Sequence, residues 1–221
     1  MQANLILLID RSTQNRSDEM NEQNATRENL VRAGFELFHR QGYGATSVSQ
    51  ILKSAGCNSG SLYYFFPTKE DLLIAVLNWC LENLWPEVIE PVFERISDPI
   101  ERVFGILDGY RKMLVITECQ QGCPIGNLAL ELADNHPRVR ELLAQNFSQW
   151  RQAVEGSLRM ASDRFPESTD LESLSLFVLT TMEGAVMLAR AYRSLDAYDS
   201  AVTQLRNYIE RLLLEGSTWG K

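Results

Sequence analysis

Hydroxyl-bearing side chains cluster in two short stretches of the chain, residues 46–49 and residues 59–64. Serine, threonine and tyrosine hydroxyls commonly hydrogen-bond phosphate groups, as do the amides of a helix N-terminus. A glycine among them, Gly60, would let the backbone approach such a group closely. The candidates for contacts to phosphates or base edges are Thr46, Ser47, Ser49, Ser59, Gly60, Ser61, Tyr63 and Tyr64.

Two cysteines four residues apart, Cys119 and Cys123, are the second group that could do chemistry. Cys123 precedes a short helix predicted over residues 125–134, and a thiolate near a helix N-terminus has a lowered pKa. One interpretation is therefore a reactive thiol at Cys123. The other is a small residue that fills a tight turn.

Metal-binding and catalytic motifs do not occur in the sequence. The two histidines, His39 and His136, have no zinc-ligand spacing with the cysteines. The chain also has no phosphate-binding loop, dinucleotide fingerprint, zinc-protease motif or serine nucleophile elbow. We therefore expect no bound metal or cofactor and no enzyme activity.

The charge distribution separates one segment from the rest of the chain. The 221 residues carry a net charge of −8, whereas residues 25–70 hold five basic and three acidic side chains. Such a segment is typical of a nucleic-acid-binding module on an acidic body, although chance also produces a difference of this size. Four cysteines are too few for a disulfide framework, and no apolar run reaches the ~20 residues that span a membrane. We expect a cytoplasmic protein without membrane contact.

Residues 46–66 have the pattern of two short helices joined by a tight turn. Thr46 is the predicted N-cap of the first helix, and Gly56 permits the left-handed conformation that ends it. The second helix begins near Ser59 and stops near Phe66, because Pro67 disfavours helix at the residue before it. The apolar face of the first helix is formed by Val48, Ile51, Leu52 and Ala55. This pattern predicts a helix-turn-helix, whose second helix enters the major groove of DNA.

Residues 26–75 resemble the DNA-binding domain of the TetR family of bacterial transcriptional regulators. The resemblance is carried by Gly-Tyr-Gly-Ala-Thr-Ser-Val at 42–48 and Gly-Ser-Leu-Tyr-Tyr-Phe-Phe-Pro-Thr-Lys-Glu-Asp-Leu-Leu at 60–73. Family members often carry a basic residue or proline where Ser59 stands, and a histidine or tyrosine where Phe65 stands. The resemblance implies that Lys69, at the start of the fourth helix, contacts phosphate.

The same resemblance implies an all-α fold, with an N-terminal three-helix helix-turn-helix domain and a C-terminal six-helix ligand-binding and dimerisation domain. In this family a ligand in the C-terminal domain shifts the fourth helix and changes the spacing of the two heads of a dimer. The segment Gly-Cys-Pro-Ile-Gly-Asn-Leu-Ala at 122–129 resembles one found in a branch of the family, some of whose members respond to oxidants or electrophiles.

Helical periodicity and turn residues divide the chain into three parts. Residues 1–24 read as a disordered tail, with a native start at Met20 as the alternative; residues 25–71 form the helix-turn-helix domain and residues 72–221 the regulatory domain. We find no strand-type alternation. The predicted helices, the first capped by Thr26, occupy 26–41, 46–55, 59–66, 68 to the prolines at 86 and 91, 98–118, 125–134, 137–163, 170–193 and 199–215.

The last two predicted helices carry apolar stripes that include small residues. A four-helix interface needs both an inner and an outer apolar face, so we expect a homodimer through these helices. The alternative is that both stripes pack only within their own subunit. The stripe residues are Leu174, Phe177, Val178, Thr181, Gly184, Ala185, Leu188, Val202, Leu205, Tyr208, Ile209 and Leu212.

An effector cavity is expected between the helices predicted over 98–118, 137–163 and 170–193. Aromatic and methionine side chains there suit an apolar or aromatic small molecule, although ordinary core packing also explains each of them. The candidate ligand-binding residues are Tyr110, Met113, Cys123, Phe147, Trp150, Met182 and Met187, with Tyr192 nearby.

These observations favour a ligand-responsive transcriptional regulator, most simply a repressor released from a pseudo-palindromic operator. The recognition helix is poor in the side chains that usually read bases, since Asn58 and Gln50 are the only amides nearby. The alternative is a helical adaptor that no longer binds DNA.

Overall fold

The computed structural model describes the backbone of residues 2–219 and the side chains of residues 22–83 and 87–216. Every regular element in that range is helical, which confirms the predicted all-α fold. The chain divides into two compact units, Met1–Val76 and Leu77–Lys221. The division falls a few residues beyond the predicted boundary after residue 71, inside the fourth helix.

The first unit, which we call the DNA-binding unit, is built from three helices and the start of a fourth. These are α1 (Gln2–Gln41), α2 (Val48–Ala55), α3 (Ser59–Phe65) and α4 (Lys69–Trp79). Both α2 and α3 pack against α1. Their shared core consists of fully buried apolar side chains from every helix, among them Leu30, Phe38, Ile51, Leu62 and Leu72.

The first helix begins earlier than the sequence indicated. Thr26 lies inside α1, where its hydroxyl donates to the carbonyl of Glu22 at 2.9 Å. The prediction of a helix N-cap at Thr26 is therefore wrong. Most of the tail predicted over residues 1–24 lies outside the residues whose side chains are described, and its disorder stays a prediction.

The second unit, which we call the regulatory unit, contains the remaining helices. After a π-helical turn at Cys80–Leu84, they are α5 (Trp85–Val88), α6 (Glu90–Arg95), α7 (Pro99–Ile116), α8 (Pro124–Leu132), α9 (Pro137–Met160), a 3-10 turn at Ser162–Arg164, α10 (Leu171–Tyr192) and α11 (Asp196–Trp219). The two short helices α5 and α6 occupy the proline-containing stretch where the sequence predicted only a kink or an end.

Capping residues fix where the long helices of this unit begin. Asp98 accepts from the amides of Ile100 and Glu101 at the start of α7, and Asp170 caps α10 in the same way. The predicted bounds of the last helix are wrong at both ends. The last helix, α11, continues through Gly216, where a Cβ atom would overlap the carbonyl of Arg164. This glycine permits a close approach and does not end the helix.

Within the described chain, α10 is the one helix long and apolar enough to cross a membrane. It packs against α7, α9 and α11, and 44% of its most apolar window is buried. The core helix of a globular unit has the same composition, so this helix is weak evidence of a membrane span.

Candidate functional site

The N-terminus of α2 is held by a reciprocal pair of hydrogen bonds. The hydroxyl of Ser47 accepts from the amide of Gln50 at 3.3 Å, and the Gln50 side chain accepts from the amide of Ser47 at 2.8 Å. This is a capping box. The N-cap is therefore Ser47, and the prediction of Thr46 is wrong by one residue.

Thr46 has a different role inside the DNA-binding unit. Its side chain is 1% exposed, and its hydroxyl donates to the carbonyl of Gly42 at 2.7 Å. A buried hydroxyl that is already paired cannot contact DNA. Its place among the predicted DNA contacts is therefore wrong, whereas Ser47 and Ser49 lie exposed beside it.

The turn between α2 and α3 follows the predicted pattern. Gly56 has φ 65°, so it occupies the left-handed conformation that closes α2. Asn58 then caps α3, accepting from the amide of Ser61 at 2.9 Å. Asn58 and Gln50, the two amides near the recognition helix, thus both serve as caps.

The two faces of α3 differ sharply in burial. Leu62 and Phe66 are 0% and 3% exposed and belong to the core. Tyr63 and Tyr64 are 53% and 71% exposed on the other side. We define the α2–α3 surface as the exposed residues Ser47, Ser49, Ser59, Gly60, Tyr63 and Tyr64, together with the half-buried Ser61.

Lys69 is engaged by the protein itself. Its Nζ donates to the carbonyls of Tyr43 and Thr46 at 2.6 and 2.7 Å, and it lies 4.0 Å from the centre of the Tyr43 ring. The first turn of α4 is therefore tied to the turn between α1 and α2. The geometry gives Lys69 a positioning role, in addition to the phosphate contact that sequence resemblance implied.

Four side chains of the regulatory unit meet around the N-terminus of α8. Tyr110 of α7 and Trp150 of α9 are in edge contact, with ring centroids 6.3 Å apart. Burial raises the pKa of Tyr110, and the nearby Cys123 and Glu183 add to that rise. Burial and the nearby Glu183 of α10 likewise raise the pKa of the Cys123 thiol. We call Tyr110, Cys123, Trp150 and Glu183 the polar cluster.

Cys123 does not have the lowered pKa that its position before a helix predicted. Its sulfur caps α8, accepting from the amide of Gly126 at 3.4 Å, and this contact alone would lower the pKa. Burial and the neighbouring Glu183 outweigh it and raise the thiol pKa well above its ordinary value. The expectation of a thiolate is wrong, because the side chain is 4% exposed and faces a carboxyl group.

The other predicted ligand residues are not all placed together. Met182 is 1% exposed in the core, whereas Met187 is 54% exposed on the outside of α10, so Met187 does not line an interior cavity. Met113 and Phe147 are partly buried. Sequence reasoning missed Glu183; its signal was a single carboxylate within the apolar stretch of α10.

An open cleft of about 1240 Å³ lies at the other end of the regulatory unit. The loop 165–170 forms one wall, and α10 and α11 supply Leu174, Phe177, Tyr208 and Leu212. This is not the location that the sequence predicted for a cavity. Phe177 and Tyr208 are each 47% exposed, and their rings are in edge contact at 5.7 Å.

A capped helix-turn-helix with an exposed second helix, joined to an all-helical unit, defines a DNA-binding transcriptional regulator. Residues 30–76 match the family described as bacterial regulatory proteins, tetR family, and residues 99–205 match the tetracyclin repressor-like C-terminal domain. The chain belongs to the TetR family of transcriptional regulators.

Individual relatives agree with this assignment. The HTH-type transcriptional regulator LmrA of Bacillus subtilis is 32% identical over 165 residues, covering 74% of this chain and 86% of LmrA. The HTH-type transcriptional repressor DhaR of Mycobacterium sp. is 26% identical, over 80% of this chain and 88% of DhaR. A TetR transcriptional regulator from Chloroflexus aurantiacus has a similar structure, with a TM-score of 0.74 and 28% identity over 86% of this chain and 96% of that one.

Proposed function

We propose that this chain is a ligand-responsive repressor that binds a pseudo-palindromic operator as a homodimer and leaves it when a small molecule binds the regulatory unit. The observation that carries the proposal is the outward position of Tyr63 and Tyr64 on α3. Folding does not require these two large side chains at the surface, and their hydroxyls suit contacts to phosphates and base edges. One relative, DhaR, is named a repressor.

The α2–α3 surface supplies the DNA contacts in this proposal. Its serines and the N-terminal amides of α3 bind phosphate, and Gly60 keeps that approach open. Lys69 supports them by fixing the turn before α2. Since Gln50 and Asn58 are used as caps, specificity depends on van der Waals contact, DNA shape and bridging water.

The homodimer forms through α10 and α11 in this proposal. Each helix buries one apolar face in its own subunit, where Val178 and Ile209 are 0% exposed. Each also leaves apolar side chains outside, including Phe177, Leu188 and Tyr208. Contiguous exposed apolar surface of this kind marks an interface. A twofold dimer would place two α3 helices one DNA turn apart, ~34–36 Å.

The effector acts through the regulatory unit, at the polar cluster. It must prefer the state that does not bind DNA, because a ligand shifts an equilibrium only by its differential affinity. An electrophile at Cys123 fits poorly, since the buried thiol has a raised pKa. A reversible apolar or aromatic ligand fits better. We place the protein in the cytoplasm, with DNA.

Fluorescence anisotropy with labelled duplexes from the DNA flanking its own gene tests this function. We expect one duplex to bind far more tightly than a scrambled one, with affinity falling steeply as salt rises. Light scattering should give twice the chain mass of 25.1 kDa. A monomer that binds no duplex would contradict the proposal and favour a helical adaptor.

A further inference from the structure

The polar cluster draws one side chain from each of four parts of the regulatory unit. Tyr110 lies on α7, Cys123 precedes α8, Trp150 lies on α9 and Glu183 lies on α10. Glu183 and Cys123 both lie against Gly126, in the first turn of α8. Both also add to the rise that burial gives the pKa of Tyr110. The Tyr110 and Trp150 rings meet edge to face. Groups that are far apart in sequence are thus brought to one place.

Two polar atoms of this cluster are buried without a hydrogen-bond partner among the described residues. They are Nε1 of Trp150, which can only donate, and Oε1 of Glu183. Folded proteins satisfy the large majority of their buried polar atoms, because an unpaired one destabilises the fold. A donor and an acceptor left open in the same cluster indicate a place for a partner that is not part of the chain.

The charge of the cluster is also unbalanced. No ion pair of the described residues involves Glu183, and no cation contributes to its pKa, which burial raises and the Cys123 thiol lowers. Arg190, farther along α10, instead donates to Asn127 at 2.9 Å. A carboxyl group in this position therefore lacks a positive partner, which buried carboxylates normally have.

The backbone is shaped to hold this carboxyl group. A Cβ atom on Gly126 would overlap Oε2 of Glu183, so only glycine lets the carboxyl group lie against the first turn of α8. Oε2 is thereby held against α8 while Oε1 stays unpaired. Tyr110 and Trp150 have aromatic rings whose faces attract organic cations.

We propose that the polar cluster binds a protonated amine carried on an aromatic or apolar scaffold. The ammonium group donates to Oε1 of Glu183, the scaffold packs on Tyr110 and Trp150, and an acceptor on the ligand pairs with Nε1 of Trp150. This names the effector class of the proposed repressor and rests on that proposed function. The site itself is testable without DNA.

Three probes of nearly equal size separate the charge from the scaffold. They are 2-phenylethylamine, 2-phenylethanol and 3-phenylpropionate, which are cationic, neutral and anionic at neutral pH. Isothermal titration calorimetry of the full chain at pH 7.5 should show the amine binding most tightly and the carboxylate most weakly. Equal or tighter binding of the alcohol or the carboxylate, or no binding of the amine at millimolar concentration, would overturn the proposal.

Variants identify the site. Glu183→Gln keeps the shape of the side chain and should weaken amine binding about 10- to 100-fold, the usual effect of losing a charged hydrogen-bond partner. Its affinity for 2-phenylethanol should change less than about threefold, well under the tenfold that 1.4 kcal/mol represents. Glu141→Gln, an exposed acid on α9, is the matched control and should leave both affinities unchanged. An unchanged amine affinity in Glu183→Gln would place the amine elsewhere and overturn the proposal.

Amine binding and operator release are separate measurements. If the amine binds through Glu183 but does not release operator DNA, the amine site stands and the effector role in the proposed function fails. If no operator is bound at all, the calorimetric result still decides the site.

Discussion

The DNA-binding unit and the regulatory unit differ in whether their buried polar groups have hydrogen-bond partners. In the first, Ser47, Asn58 and Lys69 are paired with nearby backbone or side-chain groups. Within the described residues 22–76, no buried side-chain nitrogen or oxygen lacks a partner. The described residues of the regulatory unit, 77–83 and 87–216, contain four such atoms: Asn127 Nδ2, Trp150 Nε1, Ser157 Oγ and Glu183 Oε1. The comparison shows one unit completed by its own chain and another that has hydrogen-bonding capacity left for a partner.

The largest expected change in stability comes from a substitution in the core of the DNA-binding unit. Leu62→Ala truncates a fully buried side chain of α3 and should lower the free energy of unfolding by about 2–5 kcal/mol. Hydrogen–deuterium exchange of α1–α3 amides should rise accordingly. Tyr64→Ala, at a neighbouring exposed position, should change stability by less than about 0.5 kcal/mol. Equal losses in the two variants would mean that α3 does not have one buried and one exposed face.

The next largest effect is expected from the hydrogen bonds of Lys69. Lys69→Met keeps the aliphatic stem but loses the hydrogen bonds to the carbonyls of Tyr43 and Thr46. The free energy of unfolding should fall by about 1.5–3 kcal/mol. Exchange should therefore accelerate in the α1–α2 turn. Lys53→Met on the exposed side of α2 is the matched control and should have little effect. If Lys69→Met weakens DNA binding without changing exchange, Lys69 contacts phosphate and does not position the turn.

The smallest expected change in stability is an increase, and it comes from a substitution of Glu183 in the regulatory unit. Burial raises the pKa of Glu183 above its ordinary value, so the folded state holds this proton more tightly than the unfolded state. Stability contributed by the protonated form is present at low pH and is lost as pH rises through the folded pKa. The other titratable groups facing Glu183 are Cys123 before α8 and Tyr110 on α7.

Glu183→Gln replaces the carboxyl group with an amide that does not ionise, so the stability that the protein loses as pH rises is retained. At pH 7.5 we expect its melting temperature to exceed that of the unsubstituted protein by ~2–4 °C, the shift that ~1 kcal/mol produces in a chain of this size. At pH 4 the difference should shrink. Calorimetric melting at both pH values checks this, and a variant that melts lower at pH 7.5 would show that the carboxyl group is satisfied after all.

Local signals in the sequence predicted much of the fold. Gly56, Asp98 and Asp170 end or begin helices where expected, because caps depend on a residue and its near neighbours. The error at Thr46 was avoidable, since Ser47 and Gln50 have the spacing of a capping box. Gly216 was misread because its neighbour, the carbonyl of Arg164, is distant in sequence.

The two candidate sites were predictable to different degrees. The α2–α3 surface lies within one short segment, so its candidate residues could be named from the local hydroxyl side chains and the predicted helix starts. The polar cluster combines residues from four elements, and Glu183 of α10 comes to lie near Cys123 and Gly126 only when the unit folds. The position of Cys123 just before a helix predicted a lowered thiol pKa. The burial and the nearby carboxyl group that raise this pKa instead arise only in the folded unit.

Operator affinity of Tyr64→Ala tests the central claim most directly. A dimer presents two copies of the α2–α3 surface, so the loss of ~1 kcal/mol at each should weaken binding roughly 30-fold. Leu130→Ala, an exposed substitution on α8 at a residue that is 80% exposed, should leave the affinity unchanged. An unaltered operator affinity in Tyr64→Ala, with the fold intact, would contradict the assignment of α3 as the helix that contacts DNA.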